Sequence, residues 1–406
     1  MSRPLIIASL LLTLSASLAS QDRNPGLNLT IDGYGLSIGN SRRVNGLRIN
    51  WRDQWVEQVN GVNLTLWRAG ENPDAVINGV AVGVVGPGAH RIHGLAIGIG
   101  GVEATGRLAG VQLGGLGVVS AGSIWGVSGA GLGVVASGGM TGIGAAGLGL
   151  VAEGGMTGIG VAGLGLVAQG GFSGLGAAGL GLVADGGFSG IGLAGLGLVA
   201  NAGVNGIGLA GLGLVAEGGL RGIGLAGLGT VAQGGVTGIA VGGLATVADG
   251  GSDGLTVGGL ATVATGPVRG MSIAGLAVVG GESIRGLAVG GVAVVAGEGF
   301  IEGLAATVGE LRARTSLRGL GVAGFRVRAD EEIRGAAIAV GTVRTQELEG
   351  LAISAYNDIR GAQRGLAIGL FNRTPSLHGF QVGVLNYAGN NKPPFRILPL
   401  LNAHID

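Results

Sequence analysis

Three kinds of short string in this 406-residue chain have the residue types and spacing of reaction chemistry. Gly142-Ile-Gly144-Ala-Ala-Gly147 matches the glycine fingerprint that seats a dinucleotide pyrophosphate, and it recurs at Gly158, Gly174, Gly190, Gly206 and Gly222. That chemistry needs a strand before the glycines, a helix after them and an acid about twenty residues further on. Gly35-Leu-Ser37-Ile-Gly39 and Gly250-Gly-Ser252-Asp-Gly254 match the nucleophile elbow, where a sharp strand-to-helix turn exposes the serine. His90-Arg-Ile-His93, with Glu103 as a third donor, has the residue types of a metal site. A solvated connection accounts for that histidine pair better, since no cysteine is available and the other two histidines, His378 and His404, are far off in sequence. The first two chemistries stand or fall on whether a helix follows.

The surrounding text forbids one. From Gly126 to Gly286 an anchor glycine returns every sixteen residues, at 126, 142, 158, 174, 190, 206, 222, 238, 254, 270 and 286. With the anchor numbered zero, position one is Ile or Leu, position six is Leu, position nine is Val, and further glycines hold five, twelve and mostly thirteen. A helix would lose about 0.8–1 kcal/mol at each glycine relative to alanine. The glycines are not at every third place, so collagen is excluded as well. Two short apolar runs per unit, punctuated by glycine and rich in Val, Ile and Leu, predict strands. The fingerprint and the elbow strings are by-products of the repeat. No catalytic, cofactor-binding or metal-binding residue is assigned.

Two all-β architectures satisfy the period. One is an elongated β-solenoid with one coil of two short strands per unit, its branched side chains inside and Gly and Ala at the corners and outer faces. Val167, at position nine, then faces the core. The other is an antiparallel β-barrel of the outer membrane with one strand per unit. A membrane barrel alternates apolar-out with polar-in and carries aromatic girdles. Here positions one to ten are almost free of charged and amide side chains between Gly126 and Gly250, and aromatics are only 3 %. The solenoid is therefore the leading expectation.

Composition narrows the function classes. The chain is 47 % hydrophobic and 12 % charged, so despite its 94 glycines it has the apolar material to fold. A net charge of +1 gives no electrostatic case for nucleic acid. No cysteine occurs, so disulfides and a lipoprotein attachment site are absent. Met1 to Ala19 has a basic start, an apolar run from Leu5 to Leu14 and small residues at Ser17 and Ala19, which reads as a secretory signal peptide. Residues 20–109 read as an N-terminal cap with irregular coils, 110–302 as the regular repeats, and 303–406 as looser repeats with a C-terminal cap. In the first of these, Leu27, Leu29 and Ile31 alternate with polar residues, as do Leu47, Ile49 and Trp51, and Val62, Leu64 and Leu66. That is the period of a strand with one wet face.

Three late residues, Asn357, Asn372 and Asn386, each follow their anchor by seven places. They form either a stacked amide ladder or a set of turns. The tail from Lys392 to Pro399 is proline-rich and predicts the end of the ladder. Gly365-Leu-Ala-Ile-Gly-Leu-Phe-Asn372 and Gly379-Phe-Gln-Val-Gly-Val-Leu-Asn386 resemble the Gly-Leu-Gln-Ile-Gly-Leu-x-Asn units of a bacterial surface-repeat family. The match runs over about Gly350 to Ala403 and is only general in the glycine-rich centre, where Gly replaces the Asn. The resemblance implies an exported, envelope-associated repeat protein and carries no catalytic residues. The expected function is thus non-enzymatic: a structural spacer or contact surface at the cell surface, outer membrane or periplasm of a bacterium. Its partners would be envelope components or further copies, with no nucleic acid. The alternative, tied to the barrel, is transport through the outer membrane.

Overall fold

The structure, a computed structural model, describes residues 26–32, 34–70 and 72–405. The signal-peptide segment 1–19 lies outside the described residues. Every regular element among the described residues is a β-strand. The chain divides into two units, one ending at Gly170 and the other beginning at Gly171, and each is a β-solenoid.

A coil of the C-terminal unit shows the construction. Phe188–Ala194 is a long strand, Gly197–Ala200 a short one, and Val204–Ala210 opens the next coil. Long strands pair in parallel with long strands, Phe188 beside Val204 and Ala194 beside Ala210; short strands pair likewise, Gly197 beside Gly213. Neighbours across the ladder are therefore sixteen residues apart. In an antiparallel barrel each strand would pair with the next in sequence, so the barrel is excluded.

The anchor glycine has two reasons to be glycine. Gly190 has φ of +122°, and the anchors from Gly35 to Gly379 all share positive φ. L side chains avoid that region. A methyl built on Gly190 would also fall inside the contact radius of the Gly174 carbonyl oxygen in the coil before. The bend at the anchor interrupts the alternation of the long strand. Phe188 points in, Ser189 and Ile191 on either side of the anchor both point out, and Gly192 points in again.

This reverses the expected facing. The core is built from position fourteen (Phe172, Phe188, Leu220), position eight (Leu182, Leu198, Leu214) and the alanines at four and ten. The branched residues at one, three and six are exposed: Ile191, Leu193 and Leu196 belong to one coil. Glycine at position two is a core residue, not a corner. A Cβ on Gly192 would lie 2.7 Å from Leu198 Cδ1 and 2.9 Å from Phe188 Cζ, so its absence is what admits both side chains. Where those partners shrink, glycine gives way. Thr256 stands among Ser252 and Thr262, its hydroxyl donating to Ser272 Oγ at 3.0 Å.

The same facing holds in the N-terminal unit, where Leu166 is fully buried and Val167, expected in the core, is half-buried on the outer face. Leu166→Asp should cost several kcal/mol, because it places an unpaired charge among apolar side chains. Val167→Asp should stay within about 1 kcal/mol, as surface changes do. Chemical denaturation of the two variants checks this; equal losses would contradict the facing.

The N-terminal unit starts its coils early. Its anchors run Gly35, Gly46, Gly61, Gly79 and Gly94 before the regular text begins, in register although unevenly spaced. Gly26–Ile31 pairs antiparallel with Tyr34–Gly39 and covers that end. The wet face expected here is the inner one. Ser37, Arg48, Asn50, Asn63 and Thr65 are buried, while Leu27, Leu29, Ile31, Ile49 and Trp51 are exposed. The inner polar groups bond one another: Arg48 Nη1 donates to Asp53 and to Asn63 Oδ1 (2.8 Å), and Asn63 Nδ2 donates to Asp53 Oδ2 at 2.8 Å.

In the C-terminal unit the asparagine ladder is present. Asn357 Nδ2 donates to Asn372 Oδ1 and Asn372 Nδ2 to Asn386 Oδ1, each at 2.7 Å, with all three residues buried. The tail differs from expectation. After a turn at Lys392 the strand Ile397–His404, which contains Pro399, runs antiparallel to Ser376–Ala388. The register shifts between Gly383 and Asn386, which accommodates the proline where no ladder donor is required. The compositional borders at 109/110 and 302/303 fall inside the strands Gly101–Gly114 and Ile301–Thr307.

Candidate contact surface

The three reaction-like strings are each absorbed by the coil. Gly142 and Gly144 lie on the strand Met140–Ala146, which is followed by the short strand Gly149–Ala152 rather than a helix. Ser37 is buried mid-strand, its hydroxyl oxygen 2.7 Å from both Asn28 Oδ1 and Ser41 Oγ. Ser252 opens the strand Ser252–Gly258 and is buried. His90, His93 and Glu103 do not converge. His90 Nδ1 sits 3.1 Å from Thr105 Oγ1, and Glu103 pairs with Arg68 at 3.2 Å. No group of three metal-ligating side chains occurs among the described residues.

What the coils do assemble is a divided surface. The turn after each short strand carries position eleven, and in the C-terminal unit these residues form a polar edge: Asp185, Asn201, Glu217, Gln233 and Asp249, all exposed. Asn201 Nδ2 donates to Asp185 Oδ1 at 3.0 Å, so an acid and a neutral residue of adjacent coils lie against each other. Asn201→Glu would set three carboxylates in a row about 4.8 Å apart. It should cost about 1 kcal/mol at low salt and much less at high salt. Urea melts beside an Asn201→Gln control test this, and a salt-independent result would contradict the stacking.

The turn after each long strand forms the opposite edge, and it is apolar. In the C-terminal unit the leucines from Leu180 to Leu276 at position six stand one per coil, each 45–48 % exposed. Their backbone is closed: the Leu196 N–H donates to the Leu180 carbonyl at 2.8 Å and the Gly195 N–H to Ala178 at 3.1 Å. Ile191 and Leu193 flank this edge on the long-strand face, Val199 on the short-strand face. The short-strand file turns cationic only later, where Val295 is followed in register by Arg312 and Arg328.

In the N-terminal unit the equivalent edge begins with tryptophans. Trp51 and Trp67 are exposed and stacked, ring centroids 6.2 Å apart and planes within 3°. Leu116, Leu132, Leu148 and Leu164 continue it. Sequence reasoning missed this edge because it placed the position-six leucines inside. The available signal was that position six falls between two glycines, which makes it a turn. Comparison with family models, curated proteins and solved structures gave no match.

Proposed function

We propose that this is a non-enzymatic, exported bacterial envelope protein whose solenoid coils present a repetitive contact surface. The observation that supports the reading best is the continuous apolar edge with its apolar flanks, set opposite a hydrated acid–amide edge. Monomeric soluble proteins rarely leave contiguous apolar patches of this kind uncovered. The leader-like segment 1–19 and the Gly-Leu-x-Ile-Gly-Leu-x-Asn units of the surface-repeat resemblance support export. The transport alternative depended on a barrel, and the parallel coils remove that basis.

Fractionation of the producing bacterium tests the proposal. The mature chain, cut after Ala19, should be found with the envelope, and Leu196→Glu/Leu212→Glu/Leu228→Glu should release it while the chain stays folded. An uncleaved chain in the cytosol, or unchanged envelope retention of the variant, would contradict it.

A further inference from the structure

We propose that the apolar edge and its flanks enter the acyl layer of a lipid membrane, leaving the acid–amide edge in water. This rests on the contact-surface reading and names the partner. Four observations favour lipid over a protein partner. First, apolar side chains cover three sides of a coil: Leu196 at the edge, Ile191 and Leu193 on one flank, Val199 on the other. A second copy would cover one side, whereas a lipid phase covers all three. Second, the edge needs no water, since its N–H groups already donate to the preceding coil. Hydrocarbon admits only backbone that is satisfied internally.

Third, near the first coils of the N-terminal unit and the last coils of the C-terminal unit, apolar side chains face outward over a polar interior, beside exposed charges such as Arg43 and Arg373. Arg48, Asn63 and Asp53 bond one another inside while Ile31, Ile49 and Trp51 face outward. At the other end Asn372 and Gln381 are buried while Leu370, Phe380 and Val384 are exposed. Polar-in and apolar-out is the distribution of a surface whose solvent is lipid. Fourth, in the N-terminal unit the equivalent turn positions carry Trp51 and Trp67, exposed and stacked, and tryptophan favours the membrane–water interface. The dimensions agree. A short strand of four residues spans about 13 Å between the two edges. Interfacial elements insert about 5–10 Å, enough to submerge the leucine edge and leave the acids outside.

The test is flotation of the full mature chain with phosphatidylcholine vesicles. Wild type should float with them, and Leu196→Glu/Leu212→Glu/Leu228→Glu should reduce partitioning more than about tenfold, with strand circular dichroism unchanged. A polar-edge control, Asn201→Gln/Gln233→Asn, should bind like wild type. A second measurement needs no variant: lipids brominated on the acyl chain should quench tryptophan fluorescence of the bound wild type. Failure of wild type to float, or binding without quenching, would overturn the proposal. So would a vesicle-free dimer that the triple variant abolishes, which would make the edge an interface between copies. If vesicles fail while the triple variant still leaves the envelope, the contact-surface reading stands and the lipid assignment falls.

Discussion

Asp53→Ala should destabilise the first coils by about 3–5 kcal/mol, the usual cost of leaving one member of a buried ion pair behind. Arg48 and Asp53 are both essentially without solvent contact. Removing the carboxylate leaves a guanidinium facing only Asn63 and Asn40, neither of which carries charge. The loss should be local, because a solenoid is held by contacts between adjacent coils. Hydrogen exchange should show the strands Arg43–Asn50 and Gln58–Thr65 opening while Met140–Ala146 stays protected. Replacing both partners, as Arg48→Met/Asp53→Leu, should recover only part of the loss: the unpaired buried charge is gone, but the buried Asn63 amide then lacks both its partners. Equal damage from the single and double replacements would show that the pair is not the source.

Gly190→Ala should cost about 2–5 kcal/mol, combining a positive-φ penalty with overpacking against the Gly174 carbonyl. Gly213→Ala is the matched comparison. It lies on a short strand with nothing within 4 Å of an added Cβ, and the equivalent place in later coils is already Ala245, Ala261 and Ala277. That substitution should be neutral or stabilise by up to about 1 kcal/mol, through reduced freedom of the unfolded chain. Thermal melts of the two variants should therefore move in different directions or by very different amounts. Equal shifts would show that the anchor is not a special backbone position.

The solenoid was legible because its cause is a period: a fixed sixteen-residue repeat puts like residues beside like residues in a parallel stack. Spacing also put Asn357, Asn372 and Asn386 in one file but left turns open beside the ladder, and the amide hydrogen bonds decide for the ladder. The facing was not legible, for two physical reasons. The bend at the anchor glycine puts the residues on both sides of it outward, which breaks the period-two parity used to assign faces. Bulk also misleads, since the rule that large apolar residues lie inside runs one way only. Leu196 and Leu198 are the same residue type two places apart; the turn between the strands sends one out and draws the other in. At the N-terminal end a polar file among apolar neighbours looked like a wet face, and the inner network of Arg48, Asp53 and Asn63 uses it as a core.

The chain contains no cysteine, so single thiols can be placed without interference. Leu196→Cys and Leu198→Cys, each reacted with a water-soluble maleimide in mild detergent, test the outward apolar edge directly. The account predicts rapid labelling at 196 under native conditions and labelling at 198 only when the coils are unfolded. Protection at 196 with ready labelling at 198, or equal rates at both, would contradict it.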